Sequence, residues 1–106
     1  MMAETTFSSD SSVVDGTLVV SVVGVLDMRT EATLVDSFAE QLMRPAFTRI
    51  VVNLREVEFI DSSGLRALLR CSEMAEYGDV PMKLTPNEPV SRLLRIAGIE
   101  EWFDYE

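Results

Sequence analysis

Residues 59–69 read FIDSSGLRALL. A carboxylate, Asp61, stands beside two hydroxyls, Ser62 and Ser63, followed by Gly64 and then apolar residues at helical spacing. Three kinds of chemistry use such a set. An aspartate or serine oxygen can cap a helix by accepting from an orphan backbone N–H, which contributes about 0.5–2 kcal/mol. A serine can act as a nucleophile where a neighbouring base activates it. A serine can also receive a phosphoryl group from another enzyme, and a helix N-terminus favours the resulting anion through its N–H groups and dipole.

The nucleophile fails on composition. The chain contains no histidine, so Ser-His-Asp and Cys-His relays and histidine-containing metal sites cannot be built from it. It also lacks the G-x-S-x-G elbow. A cap needs only one of the three polar residues, and it does not need Gly64 in the first turn, where glycine costs up to about 1 kcal/mol relative to alanine. Gly64 would leave the two hydroxyls open to an approaching macromolecule, so the helix cap and the phosphoacceptor both stand as readings of the motif. The five glycines, at 16, 24, 64, 78 and 98, never cluster into a phosphate-cradling loop. No cofactor and no metal is expected, and any nucleotide must come with a partner.

The rest of the composition narrows the partners. A chain of 106 residues, 47% hydrophobic and 25% charged, has the size and balance of one globular domain. Nine basic against eighteen acidic residues give a net charge of −9, which disfavours nucleic acid and anionic membranes. The single cysteine, Cys71, cannot form an internal disulfide, and the opening MMAETTFSSD has neither the basic start nor the apolar core of a secretory signal. Residues 18–26 form an apolar run of nine broken by Ser21 and Gly24, far short of the roughly 20 that span a bilayer. The expectation is a cytoplasmic protein with no membrane insertion.

The elements that must position the motif follow from periodicity. Residues 1–12 read as a flexible or irregular segment, and residues 13–106 as the domain. Asp15-Gly16 between two β-rich runs predicts a type I′ hairpin into a strand over 17–23. Asp27 or Thr30 is placed to cap a helix that carries Leu34, Val35, Phe38 and Leu42 on one face and is stopped by Pro45. Residues 49–54 (RIVVNL) read as a central strand covered on both faces. A second helix from Ser63 to about Tyr77, closed by Gly78, places Leu65, Leu68, Leu69, Ser72 and Ala75 inward, and Arg66, Arg70 and Glu73 outward. Arg66 reads as a solvated residue facing Glu73 or nothing. A strand over 80–84, a helix carrying Val90, Leu93, Leu94 and Ala97 up to Gly98, and a last strand or coil over 101–106 complete the chain. Cys71 and Met74 read as packing on the second helix, and Trp102-Phe103 as core closure. The fold class is α/β: a hairpin leading into a mixed four- to five-stranded sheet with crossover helices.

At this point the chain resembles a known family. Asp61-Ser62-Ser63-Gly64-Leu65 after the strand IVVNL is similar to the signature of STAS-domain proteins of the bacterial anti-sigma factor antagonist type. Gly24-Val25-Leu26-Asp27 sits where that family has a Gly-acid-Leu-Asp turn, with Val25 replacing the acid. Residues 91–99 (SRLLRIAGI) resemble its last-helix segment. The resemblance implies a STAS-like single domain that is a phosphoacceptor substrate and binding module rather than an enzyme. Its unphosphorylated form would bind an anti-sigma factor serine kinase and free a sigma factor. Phosphorylation, carried over to Ser62 first and Ser63 second, would abolish that binding, and a serine phosphatase would restore it. The partner-facing residues on this reading are Asp27, Thr30, Asp61, Ser62, Ser63, Gly64 and Arg66. The alternative is a STAS accessory subunit of an ABC transport complex, a role that gives no reason for two adjacent hydroxyls here. A nucleotide-responsive sensor is disfavoured by the missing phosphate loop.

Overall fold

The computed structural model describes residues 7–44 and 46–106. Strand β1 (Phe7–Val14) and strand β2 (Thr17–Leu26) pair antiparallel, with Val14 opposite Thr17. Asp15 and Gly16 join them with φ of 50° and 78°, the two positive values that a type I′ turn requires and that suit Asp-Gly. The pairing begins at Phe7, so residues 7–12 are a regular edge strand rather than the irregular segment expected. Residues 1–6 of that segment lie outside the described residues, as does the stop assigned to Pro45.

Helix α1 (Glu31–Leu42), strand β3 (Arg49–Ile60), helix α2 (Ser62–Tyr77), strand β4 (Met82–Thr85) and helix α3 (Glu88–Ala97) follow. A 3-10 turn at Glu100–Trp102 then leads to strand β5 (Asp104–Tyr105). Among the described residues the sheet has five strands in the order β1-β2-β3-β4-β5, parallel from β2 onwards. Each crossover therefore steps one strand in the same direction. With the right-handed connection that nearly all such units adopt, α1, α2 and α3 fall on one face of the sheet.

Burial agrees with this one-sided arrangement. Leu18, Val20 and Val22 of β2 and Ile50, Val52 and Leu54 of β3 are fully buried, while the alternating Val19, Ser21, Val51 and Asn53 are only half-buried. The strand over 49–54 is central as expected, but it is covered on one face. Its apolar centre misled because Val51 and Val52 point to opposite sides. The buried residues join Leu34 and Phe38 of α1, Leu65, Leu68, Cys71 and Ala75 of α2, Leu84 of β4, and Val90 and Leu94 of α3 in one core. Burying each large aliphatic side chain is worth about 1.5–3 kcal/mol.

Helix ends differ from expectation in three places. Thr30 occupies the first cap position, but its side chain makes no bond to the helix. Gly78 has φ −84°, and the left-handed residue is the next one, Asp79, at φ 59°. Asn87, not singled out from sequence, caps α3 by accepting from the Val90 N–H at 3.1 Å and donates to the Val57 carbonyl at 2.8 Å. Phe103 closes the core as expected, whereas its neighbour Trp102 is exposed.

Candidate functional site

Asp61 is the joint between β3 and α2. It is extended, with φ −124° and ψ −168°, and its Oδ1 accepts from the N–H groups of Ser63 at 2.9 Å and Gly64 at 3.2 Å. Its own N–H donates to the Leu26 carbonyl at 3.3 Å, and its carbonyl accepts from Leu65 N–H at 3.0 Å. One side chain therefore satisfies two of the orphan donors of α2. The capping role of the motif is real, and Asp61 carries it. Those two N–H groups are consequently not free for an anion, contrary to what the helix N-terminus suggested.

The end of β2 lies alongside, since Leu26 pairs with Ile60. From it leaves a turn tied by its own side chains. Thr30 Oγ1 donates to the Val25 carbonyl at 2.9 Å and accepts from Asp27 N–H at 3.0 Å. Asp27 Oδ1 accepts from Arg29 N–H at 2.9 Å. Asp27 and Thr30 thus brace the β2–α1 turn instead of capping α1 with their side chains. The sheet places this turn and the Asp61-Ser62 joint at the C-terminal ends of two neighbouring parallel strands, the edge where α/β proteins commonly bind.

The hydroxyls differ in access. Ser62 is exposed, whereas Ser63 is half-buried, with Arg66 Nη2 at 3.5 Å from its Oγ. Gly64 is buried, and a Cβ built there would run into the Leu26 carbonyl oxygen and stand 2.7 Å from Ile60 Cγ1. The close approach that demands glycine is therefore made by the protein's own β2 and β3, and Gly64 is corrected from a partner-facing residue to a packing one.

Arg66 does not face Glu73. It crosses to α1, donating from Nε to Glu31 Oε2 at 2.6 Å and from Nη2 to Glu31 Oε1 at 2.8 Å. The Arg66 hydrogen bond, helped by the charges of Arg66 and Arg70 and opposed by desolvation, holds the Glu31 carboxyl below its ordinary value of 4.5. The same bond raises the Arg66 guanidinium. Glu31 escaped sequence reading because it lies 35 positions from Arg66. Only the placement of α1 beside α2 brings the two together.

Two large apolar side chains stand exposed in the flanking segments: Met28, 74% accessible in the β2–α1 turn, and Phe59, 52% accessible two residues before Asp61. The alternation of β3 around Ile60 was the one available sign of Phe59. A cavity of about 200 Å³ lies next to the motif, lined by Phe59, Ile60, Arg92 and Ile96, and two larger ones lie away from it. One of about 460 Å³ is lined by Glu76, Asp79, Trp102 and Phe103, and one of about 490 Å³ by Leu42, Met43, Met74 and Tyr77. Asp61 and Ser62 line neither. Among the described residues no cluster of three or more acidic or cysteine side chains is placed to hold a metal ion, and no helix is long and apolar enough to cross a membrane. The arrangement presents a hydroxyl on a rigidly capped helix tip, beside carboxylates and exposed apolar groups, which suits contact with a macromolecule.

Comparison with known proteins adds three likenesses. The family model described as the STAS domain matches residues 9–106. An anti-sigma F factor antagonist of Paenibacillus polymyxa is 33% identical over 85 residues, which are 79% of this chain and 73% of that protein. The crystal structure of an anti-sigma factor antagonist from Mycobacterium paratuberculosis superposes with a TM-score of 0.83 at 26% identity, covering 99% of this chain and 90% of that one. The Bacillus cell fate determinant SpoIIAA in its phosphorylated form shares the fold, with a TM-score of 0.68 at 22% identity over 95% of this chain and 91% of its own.

Proposed function

Because the chain belongs to the STAS-domain family of anti-sigma factor antagonists, we propose that its unphosphorylated form binds an anti-sigma factor serine kinase in the cytoplasm, and so frees a sigma factor. Phosphorylation of Ser62 switches that binding off, and a serine phosphatase restores it. The observation that carries the choice of residue is exposure: Ser62 is open at the tip of α2, while Ser63 is half-buried beside Arg66. In the transfer, Ser62 Oγ forms a bond to the γ-phosphorus of a nucleoside triphosphate held by the kinase. The bond from that phosphorus to the nucleoside diphosphate breaks, and the hydroxyl proton passes to a base of the kinase.

The physics of the switch sets what else must take part. Moving a complex from almost fully bound to almost fully free takes about 5.5 kcal/mol. A single hydrogen bond lost to an unsatisfied buried group supplies about 1–3 kcal/mol. The remainder comes from placing about −1.5 to −2 charges beside Asp61 and Asp27, against a partner surface fitted to a neutral hydroxyl. Asp27, Thr30, Asp61, Ser62, Ser63 and Arg66 form the polar part of this surface. Gly64 contributes only by seating the helix.

The test is affinity capture from lysate of the source cell with wild type, Ser62→Ala and Ser62→Glu as baits. A serine kinase of the anti-sigma type retained by the first two and lost from the third supports the proposal. Retention of a transporter ATPase by all three alike would sink it and leave the serines as parts of a helix cap.

A further inference from the structure

The charges around Ser62 raise a question that the switch leaves open: which group neutralises the phosphate once it is attached. The usual answer, the free N–H groups of a helix start, is weakened here because Asp61 Oδ1 already takes those of Ser63 and Gly64. The nearby acidic groups, Asp61 at the cap, Asp27 in the turn and Glu31 on α1, all repel the new charge. The cations of the same region are Arg29, Arg66 and Arg70. Arg29 lies in the turn with Nη2 3.6 Å from Asp27 Oδ2. Arg70 lies two turns along α2 from Ser62, at the wrong end of its reach.

Arg66 differs from both. It is four residues after Ser62 on the same helix, the spacing at which side chains stand over one another, and helical side chains lean toward the N-terminus. Its guanidinium already extends that far, since Nη2 lies 3.5 Å from the hydroxyl of Ser63. Its side chain is 60% exposed, so it is free to swing, whereas its present partner, Glu31, is only 13% exposed. A phosphate monoester offers more charge and more acceptor oxygens than one carboxylate, and arginine binds it in the same two-pronged way.

We propose that Arg66 is the phosphate ligand of this domain: on phosphorylation of Ser62 it leaves Glu31 and forms a bidentate pair with the phosphoserine. The inference rests on Ser62 as the acceptor. Its consequence is that the modification does more than add charge at one point. It also unclasps α1 from α2 and returns to Glu31 a carboxylate with no cation in direct contact, next to the turn that carries Asp27. Two negative centres then face the partner in place of a neutral hydroxyl and a closed ion pair.

The experiment uses the full chain with phosphoserine placed at position 62 during translation, so that no kinase is required. The second ionisation of the phosphate, ordinarily near pH 6, is followed by phosphorus NMR, and the Glu31 carboxyl by carbon NMR. Exchange predicts that Arg66→Gln raises the phosphate midpoint by about half a pH unit or more, that Arg66→Lys recovers part of the difference, and that the Glu31 titration moves up toward its ordinary value when Ser62 is phosphorylated. A phosphate midpoint indifferent to Arg66→Gln overturns the assignment. So does a Glu31 titration as depressed in the phosphorylated protein as in the unmodified one, because Arg66 would then have kept its first partner. A kinase that fails to label Ser62 would end the switch reading, yet the NMR result would stand unaffected.

Discussion

Gly64 packs against Leu26 across the sheet-to-helix joint: a β-carbon at position 64 would run into the leucine carbonyl oxygen. The same carbonyl accepts the Asp61 N–H. A single backbone oxygen thereby positions both the cap and the first turn of α2. Gly64→Ala gains about 0.5–1 kcal/mol of helix preference, but overpacking against atoms that cannot rotate away costs about 1–3 kcal/mol. Net destabilisation is expected, read as a lower urea midpoint with an unchanged slope. A variant as stable as wild type would show that the joint has slack.

Capping and recognition by Asp61 separate experimentally. Asp61→Ala removes the acceptor of the Ser63 and Gly64 N–H groups and is expected to lower stability by about 1 kcal/mol, up to about 2. Asp61→Asn keeps an oxygen in place and is expected to retain most of that stability, since asparagine caps about as well as aspartate. If kinase capture falls with the asparagine variant while thermal unfolding does not move, the carboxylate charge itself is recognised.

The Glu31–Arg66 pair carries a pH signature of definite sign. The folded state holds the Glu31 carboxyl below 4.5, chiefly through the Arg66 hydrogen bond, so its stabilisation is present above that value and is lost as pH falls through the lowered one. Wild type and Glu31→Gln should therefore differ in urea midpoint near neutrality and converge in acid below the ordinary glutamate range. A difference that persists unchanged into strong acid would assign the effect of the variant to packing.

Cys71 is expected to be inert in the native protein. It is buried in the core on α2, and desolvation pushes its thiol up to about 12, so almost no thiolate exists at neutral pH to react. Labelling by a thiol reagent at pH 8 should proceed only on addition of denaturant and at the rate of opening. Rapid stoichiometric labelling of native protein would contradict this placement.

The parts of this protein legible from sequence are those set by neighbours in the chain. Asp15-Gly16 specifies its turn because two consecutive residues must accept positive φ. Leu65, Leu68 and Ala75 are legible as the inward face of α2 by their period, whereas Leu69 and Ser72, expected with them, are only half-buried and Cys71 is buried in the core instead. What depends on residues distant in sequence was misread. Gly64 is required by Leu26 and Ile60 rather than by a visitor, and Arg66 answers to Glu31 on another helix. The second face of β3 was assigned from its run of apolar residues, which cannot tell one covered face from two when β-branched residues fill both. The exposed Met28 gave no local sign that it would stand near the serines, because only the pairing of β2 with β3 brings its turn there.

The order of strands in the sheet, identical to their order in the chain, bears on how the protein is made. Every new strand docks onto the one completed just before it, with no strand reserved for a later arrival between two others. A chain emerging from the ribosome can add one crossover unit at a time to the opening hairpin, and each loop to be closed is only as long as one helix and its turns. Such short connections between sheet neighbours keep the entropy of closing each loop small. The tip of α2 is seated on β2 and β3, both of which precede it in the chain, so its site needs nothing from β4 onwards.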